Sequence, residues 1–168
     1  MAKQISERRL NRLLELNKRL VLEDDFTKKI KIISNSIKDI LEIDRCTIFI
    51  HDDSTKSLWS VYVDGVSYIE IPDTKGIASE VFKTKKSMVV NDAQNSPYFN
   101  KDVDKGSGYT TKAILAVPIM GYGDRVLGVM QLINKLDGVG KFTEEDESVL
   151  GYVMGHVSAY LELMLQGK

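Results

Sequence analysis

A chain of 168 residues, 43% hydrophobic and 28% charged, is sized for one domain that buries roughly two-thirds of its unfolded surface. Twenty-three basic side chains against 24 acidic ones leave a formal net charge of −1, so no basic field draws the chain toward nucleic acid or an anionic membrane. The single cysteine, Cys46, excludes an internal disulfide and a cysteine-based metal site. With no apolar run near the ~20 residues of a membrane span, the expectation is a cytoplasmic protein, neither secreted nor inserted.

Residues 4–22 place Leu10, Leu13, Leu14, Leu16, Leu20 and Val21 at helical spacing among Arg8, Arg9, Arg12, Glu15, Lys18 and Arg19, which predicts an amphipathic first helix. Asp24 or Asp25 caps a second helix over 26–41, with Phe26, Ile30, Ile33, Ile37 and Ile40 or Leu41 on its apolar face. From Arg45 the period changes. Cys46–Ile50, Leu58–Val63 and Val66–Ile71 are β-branched and aromatic runs parted by turn residues, including Asp64-Gly65, and predict three antiparallel strands. Gly76–Thr84 reads as a short helix and Met88–Val90 as a fourth strand. A long polar connection follows, over 91–111. Lys112–Met120 and Arg125–Asn134 predict the last two strands around a Gly121–Asp124 turn, and Thr143 with Asp146 caps a final helix reaching Leu165. The class is α+β, a six-stranded antiparallel sheet with helices packed on one face.

Both ends are helical. In the last helix Leu150, Val153, Val157, Tyr160 and Met164 follow an a/d spacing, as Leu10, Leu13 and Leu20 do in the first, with Asn17 between them. Two such stripes exceed what one sheet face already covered by 26–41 requires, so long N- and C-terminal helices forming a dimer bundle are predicted. Residues 1–23 are read as the dimerisation helix and 24–168 as the folded domain, ending in that last helix. The basic residues of the first helix read as a solvated face rather than a phosphate-binding arm.

No catalytic constellation stands out. His51 and His156 lack the spacing of a metal motif, no nucleophile has an activating partner, and Gly121, Gly123 and Gly128 surround a hairpin rather than join a strand to a helix. The unusual feature is the 91–111 connection, because a loop this long on a compact domain is commonly functional. Its Asn, Asp, Ser and Thr residues suit a small polar ligand, and Tyr98, Phe99 and Tyr109 are expected to anchor it like a lid. Gly76-Ile77-Ala78 opens a helix whose unpaired N–H groups can receive a phosphate.

The series Asn134-Lys135, Phe142, Asp146-Glu147 resembles the NK…F…DE signature of GAF domains of the cyclic-nucleotide phosphodiesterase and adenylyl cyclase type. Lys75–Ala78, Asn91–Ala93, Pro97–Asn100, Val103-Asp104, Gly108–Thr111 and Val117–Ile119 resemble that group in order and spacing, over roughly 24–162. The resemblance implies a GAF-like fold, with 24–168 a sensory domain ending in a signalling helix. It implies that Asn134, Lys135, Phe142, Asp146 and Glu147 are structural, with an ion pair between Lys135 and Asp146 beside the pocket. Ligand contacts carried over are Thr47, Asp64, Ile77, Ala78, Asn100, Asp104, Ser107, Thr111 and Gln131. The pattern departs from known members at Asn100, where an aromatic is frequent, at Gln131, where an acid occurs, and at Ser107, where Thr is common.

The function so implied is regulatory, without catalysis or a cofactor. The domain binds a cyclic nucleotide, cAMP before cGMP, and a homodimer passes the signal to an output domain such as a diguanylate cyclase, adenylate cyclase, phosphodiesterase or histidine kinase. The other class is a ligand-free dimerisation or relay domain. A GAF-type methionine sulfoxide reductase needs several cysteines, and a bilin or haem sensor needs a cysteine anchor or an axial histidine in the pocket.

Overall fold

The computed structural model describes residues 5–104 and 108–166. Helix α1 runs Glu7–Leu22 and α2 runs Phe26–Leu41. Each starts where a side-chain oxygen replaces an acceptor the first turn lacks: Ser6 Oγ accepts from Arg9 N at 3.4 Å, and Asp25 Oδ1 from Lys28 N at 2.9 Å. Left-handed Glu42, at φ 54°, ends α2. The next residue begins the sheet.

Six strands follow: β1 Ile43–Asp52, β2 Ser57–Val63, β3 Glu70–Pro72, β4 Met88–Val90, β5 Ile114–Met120 and β6 Val126–Lys135. They lie in the order β3-β2-β1-β6-β5-β4, every neighbouring pair antiparallel. The central pair sets Thr47 opposite Gln131 and Ile50 opposite Gly128. A Cβ on Gly128 would stand 1.8 Å from the Phe49 carbonyl oxygen, so any side chain there breaks the pairing. Helix α3 (Ile77–Thr84) leads into β4, and α4 (Glu144–Gln166) closes the chain. The reciprocal cap expected for α4 is present: Asp146 N donates to Thr143 Oγ1 at 3.2 Å, and Thr143 N to Asp146 Oδ2 at 2.9 Å.

Two strands are shorter than the sequence pattern predicts. In place of a strand over 66–71, β3 begins only at Glu70, preceded by one bond from Ser60 N to the Ile69 carbonyl, because Asp64 turns inward to bond the β1 backbone and Gly65, at φ 85°, backs onto the Arg45 guanidinium. No tight hairpin can form there. β5 begins at Ile114 rather than Lys112, since Lys112 N and Ala113 N donate to the Asn134 side chain instead of a strand ladder. The Gly121–Asp124 turn contains a single 3₁₀ turn over Tyr122–Asp124.

The helices do not share one face. Helices α1, α2 and α4 cover one side of the sheet around Leu16, Ile33, Ile37, Ile48, Met130, Val149 and Val157. α3 packs on the opposite side, with Phe49, Leu58, Val81, Ala93 and Val129. A second layer on that side is what makes room for a site.

The predicted dimer seam is also corrected. Leu13, Leu20, Val153 and Val157 are at most 3% exposed within the single chain, each such side chain stabilising the fold by about 1.5–3 kcal/mol. They face the core because α1 and α4 pack on each other and on α2. The apolar residues left outside are Leu10, Leu14, Val21 and Leu22 on α1 and Tyr152 and Leu163 on α4. Among the described residues α4 is the one helix long and apolar enough to cross a membrane, a run the sequence pattern did not single out. Val149, Val153, Val157 and Leu161 bury one side of it.

Candidate functional site

Alternation along the central strands turns Arg45, Thr47, Gln131 and Ile133 away from α2 and α4. With α3, the segment after β2 and the described residues of the 91–111 connection, they wall a cavity of about 100 Å³ that opens to solvent, smaller than the roughly 300–1,000 Å³ of typical small-molecule sites. Its apolar lining is Phe49, Ile69, Ile71, Phe99, Ile114 and Ile133. Of the nine ligand contacts implied by the sequence, Thr47, Asp64, Ile77, Ala78, Asn100, Asp104, Thr111 and Gln131 line this one cavity. Ser107 lies outside the described residues.

These eight are not equivalent. Asp64 is occupied: Oδ1 accepts from Lys38 Nζ and Tyr62 OH, both at 2.9 Å, and Oδ2 from Cys46 N at 3.0 Å. Burial alone would lower the Lys38 pKa, but its bonds to Asp64 and Tyr62 outweigh that and hold it above its ordinary value. Asp104 accepts from Thr111 N and Thr111 Oγ1, both at 2.8 Å. Gln94 Nε2 donates to the Thr111 carbonyl at 2.8 Å. Asp104 and Thr111 thus shape the lid before any ligand arrives. Thr47 and Gln131, by contrast, make no side-chain hydrogen bond among the described residues and present their polar atoms to the cavity. Across from them Gly76, at φ 106°, begins α3 without a side-chain cap, leaving the first-turn N–H groups of Ile77 and Ala78 without intrahelical acceptors.

Arg45 was not singled out by the sequence reading, although a lone cation on a central strand beside Thr47 was a signal in plain view. Its guanidinium lies 3.6 Å from the Tyr109 ring centroid and against the Gly65 backbone, where even a Cβ would come within 2.5 Å. The fork is held flat, and it forms no ion pair among the described residues. Tyr109 OH donates to Asp44 Oδ2 at 2.7 Å and accepts from Asn134 Nδ2 at 2.9 Å. Burial first, then the bond to Asp44, pushes the Tyr109 phenol well above its ordinary pKa. Phe99 also anchors the lid by facing the cavity, whereas Tyr98 is exposed. The lid is not featureless, since it carries 3₁₀ turns at Ala93–Asn95 and Lys101–Asp104.

The signature residues sit elsewhere. Lys135 Nζ lies 3.1 Å from Asp146 Oδ1 and 3.3 Å from Asp137 Oδ1, and also donates to the Leu41 carbonyl. Arg9 reaches Asp146 at 3.0 Å and Glu145 at 2.5 Å. The ion pair joins β6 to α4 as expected, but on the helical side rather than at the pocket wall, because Asn134 at φ 63° interrupts the strand's alternation. Phe142 is buried in the helical-side core, and Glu147 lies in the first turn of α4. Cys46 is fully buried, which pushes its thiol up to about 12. His51 pairs with Asp73 at 2.9 Å and stacks on Phe82, while half-buried His156 meets Asn17 at 2.8 Å. Among the described residues no cluster of three His, Cys, Asp or Glu side chains could hold a metal.

The sequence pattern of the GAF domain matches residues 25–161. The chain belongs to the GAF domain family. It is 31% identical over 149 residues to a probable 3',5'-cyclic phosphodiesterase, pde-5, of Caenorhabditis elegans, the match covering 76% of this chain and 20% of that protein. The chain therefore spans about a fifth of that relative. Among solved structures, the GAF domain of a phosphoenolpyruvate-protein phosphotransferase from Coxiella burnetii superposes with a TM-score of 0.83 at 19% identity, over 95% of this chain and 96% of that one. A free methionine-R-sulfoxide reductase from Neisseria meningitidis, in complex with its substrate, superposes at 0.78 and 16% identity over the whole of both chains. Those likenesses concern the fold; GAF domains are regulatory, small-molecule-sensing modules as a class, and some of their structural neighbours are enzymes.

Proposed function

We propose that this domain is a regulatory sensor that binds a cyclic nucleotide in the cavity between the sheet and the 91–111 lid, cAMP before cGMP, with no chemistry of its own. The observation that carries this reading is the set of polar groups converging there: Thr47 and Gln131, without a side-chain hydrogen bond among the described residues, the Arg45 guanidinium stacked on Tyr109, and the first-turn N–H groups of α3. The N–H groups suit a singly charged cyclic phosphate. The apolar lining suits a purine face. Adenine offers ring-nitrogen acceptors to Arg45, which can only donate, and an amino donor to Thr47 or Gln131. The Watson–Crick edge of guanine offers two donors side by side, which a free carboxylate suits best, and Asp64 is already taken by three bonds.

A homodimer through the exposed apolar residues of α1 and α4 would carry the signal to an output domain, with a cyclase, phosphodiesterase or histidine kinase as candidates. The test is a thermal and calorimetric titration. At 100 times its dissociation constant, cAMP should add about 2.7 kcal/mol, a melting shift of roughly 5 to 10 °C for a domain of this size. A larger shift with cGMP would reverse the preference. No shift with either at millimolar concentration would overturn the sensor reading in favour of a ligand-free relay, which the internal pairing of Asp64 and Asp104 favours.

A further inference from the structure

Both ends of the lid are fastened to one short stretch, from Asn134 near the end of β6 to Thr143 just before α4. At the near end, Phe142 N donates to Asn91 Oδ1 at 2.8 Å and Asn91 Nδ2 donates back to the Phe142 carbonyl at 3.2 Å. At the far end, Asn134 Oδ1 accepts from Lys112 N at 2.7 Å and Ala113 N at 3.2 Å, while Asn134 Nδ2 donates to the Thr110 carbonyl and Tyr109 OH, both at 2.9 Å. A side-chain amide can do this because it carries a donor and an acceptor in one plane, like a peptide group. Asn also tolerates the φ of 63° at position 134.

What the connection joins gives the two clamps their meaning. Asn134 is followed by Lys135, paired with Asp146, and Phe142 is followed by Thr143, whose hydroxyl caps that same Asp146. Both routes end on the first turn of α4. We propose that Asn91 and Asn134 are positioning residues that couple the state of the lid to the N-terminus of α4. The asparagine of the NK…F…DE signature then acts on the lid, not on a ligand. The inference rests on the reading that the lid closes over the binding site, yet the coupling exists without ligand and is measured without it.

The experiment is hydrogen exchange on the full chain, with Asp104→Ala used to loosen the lid. Exchange at residues 141–147 should rise about 10-fold in the otherwise native chain, together with exchange in the lid. With Asn91→Ala added, the lid still loosens and 141–147 shows no further response to Asp104→Ala. Asn91→Asp, which keeps the acceptor for Phe142 N, should restore part of that response, and it serves as the working variant if the alanine form does not fold. Asn134→Asp, which loses the two donated bonds, should weaken it in the same way. An unchanged 141–147 in the native background, or an equal rise with and without the clamps, would overturn the proposal. A parallel cAMP titration separates the two ideas: intact coupling without cAMP binding would sink the sensor reading alone.

Discussion

The two sides of the sheet treat polar groups in opposite ways. On the helical side the charges close on one another: Lys135 lies among Asp146, Asp137 and the Leu41 carbonyl, and Arg9 caps the group. On the cavity side Thr47, Gln131 and the start of α3 are left open, over a smaller apolar cluster. A buried charge without a partner costs several kcal/mol, so the packed side tolerates none. On the cavity side Asp64 and Asp104 are paired, while Thr47 and Gln131 make no side-chain hydrogen bond among the described residues. On the proposed reading, stability and recognition fall on different faces of one sheet, and substitutions should reveal which face they touch.

The largest effect is expected at Val153. Val153→Glu places an unpaired carboxylate in the packed core and should cost several kcal/mol, enough to abolish cooperative urea unfolding. Leu14→Glu, on the exposed side of α1, should leave the melting temperature within about 2 °C and instead break the homodimer proposed above, read as a fall in sedimenting mass. A folded Val153→Glu monomer would restore the seam that burial argues against.

Next is Asp146→Ala, which leaves Lys135 and Arg9 without their shared acceptor. A buried pair broken on one side costs about 3–5 kcal/mol, and denaturant titration should show the same loss with and without cAMP. A loss confined to the liganded protein would move the signature to the cavity side.

Smaller still is Thr47→Val, nearly isosteric and facing the cavity. Stability should stay within about 0.5 kcal/mol, while cAMP affinity measured by calorimetry should weaken about 5-fold, the equivalent of one hydrogen bond of about 1 kcal/mol.

The smallest effect concerns pH at the lid. The Tyr109 phenol titrates above its ordinary value in the folded chain, so the unfolded chain loses that proton first as pH rises. The stabilisation is full below about pH 10, the ordinary phenol value, and declines above it. Alkaline titration of hydrogen exchange in residues 108–113 should show the lid loosening above that pH, and Tyr109→Phe should remove this dependence.

Much of the fold was legible in local pattern. The apolar period of α1 and α2, a cap at Asp24 or Asp25 and the Thr143–Asp146 box were readable because caps and stripes are set within a few residues. The short β3 was not, because Asp64 is held by Lys38 on α2 and by the Cys46 amide, partners 26 and 18 positions away. The site was legible by resemblance at Thr47, Gln131 and the lid. Arg45 was missed, since its stacking on Tyr109 joins residues 64 positions apart.

Sequence alone determined the α+β class and the element order, which follow from periodicity and capping chemistry, while the Lys135–Asp146 pairing was implied by the resemblance of the signature to a known family. Tertiary structure decided which way each amphipathic element faced. A stripe such as Leu13–Leu20 or Val153–Val157 states that a helix must bury one side, not whether its own sheet or a second chain will cover it. That choice depends on the surface already exposed nearby, and here the helical side of the sheet had room for α1, α2 and α4 together, so α3 and the lid were left to build a pocket on the other.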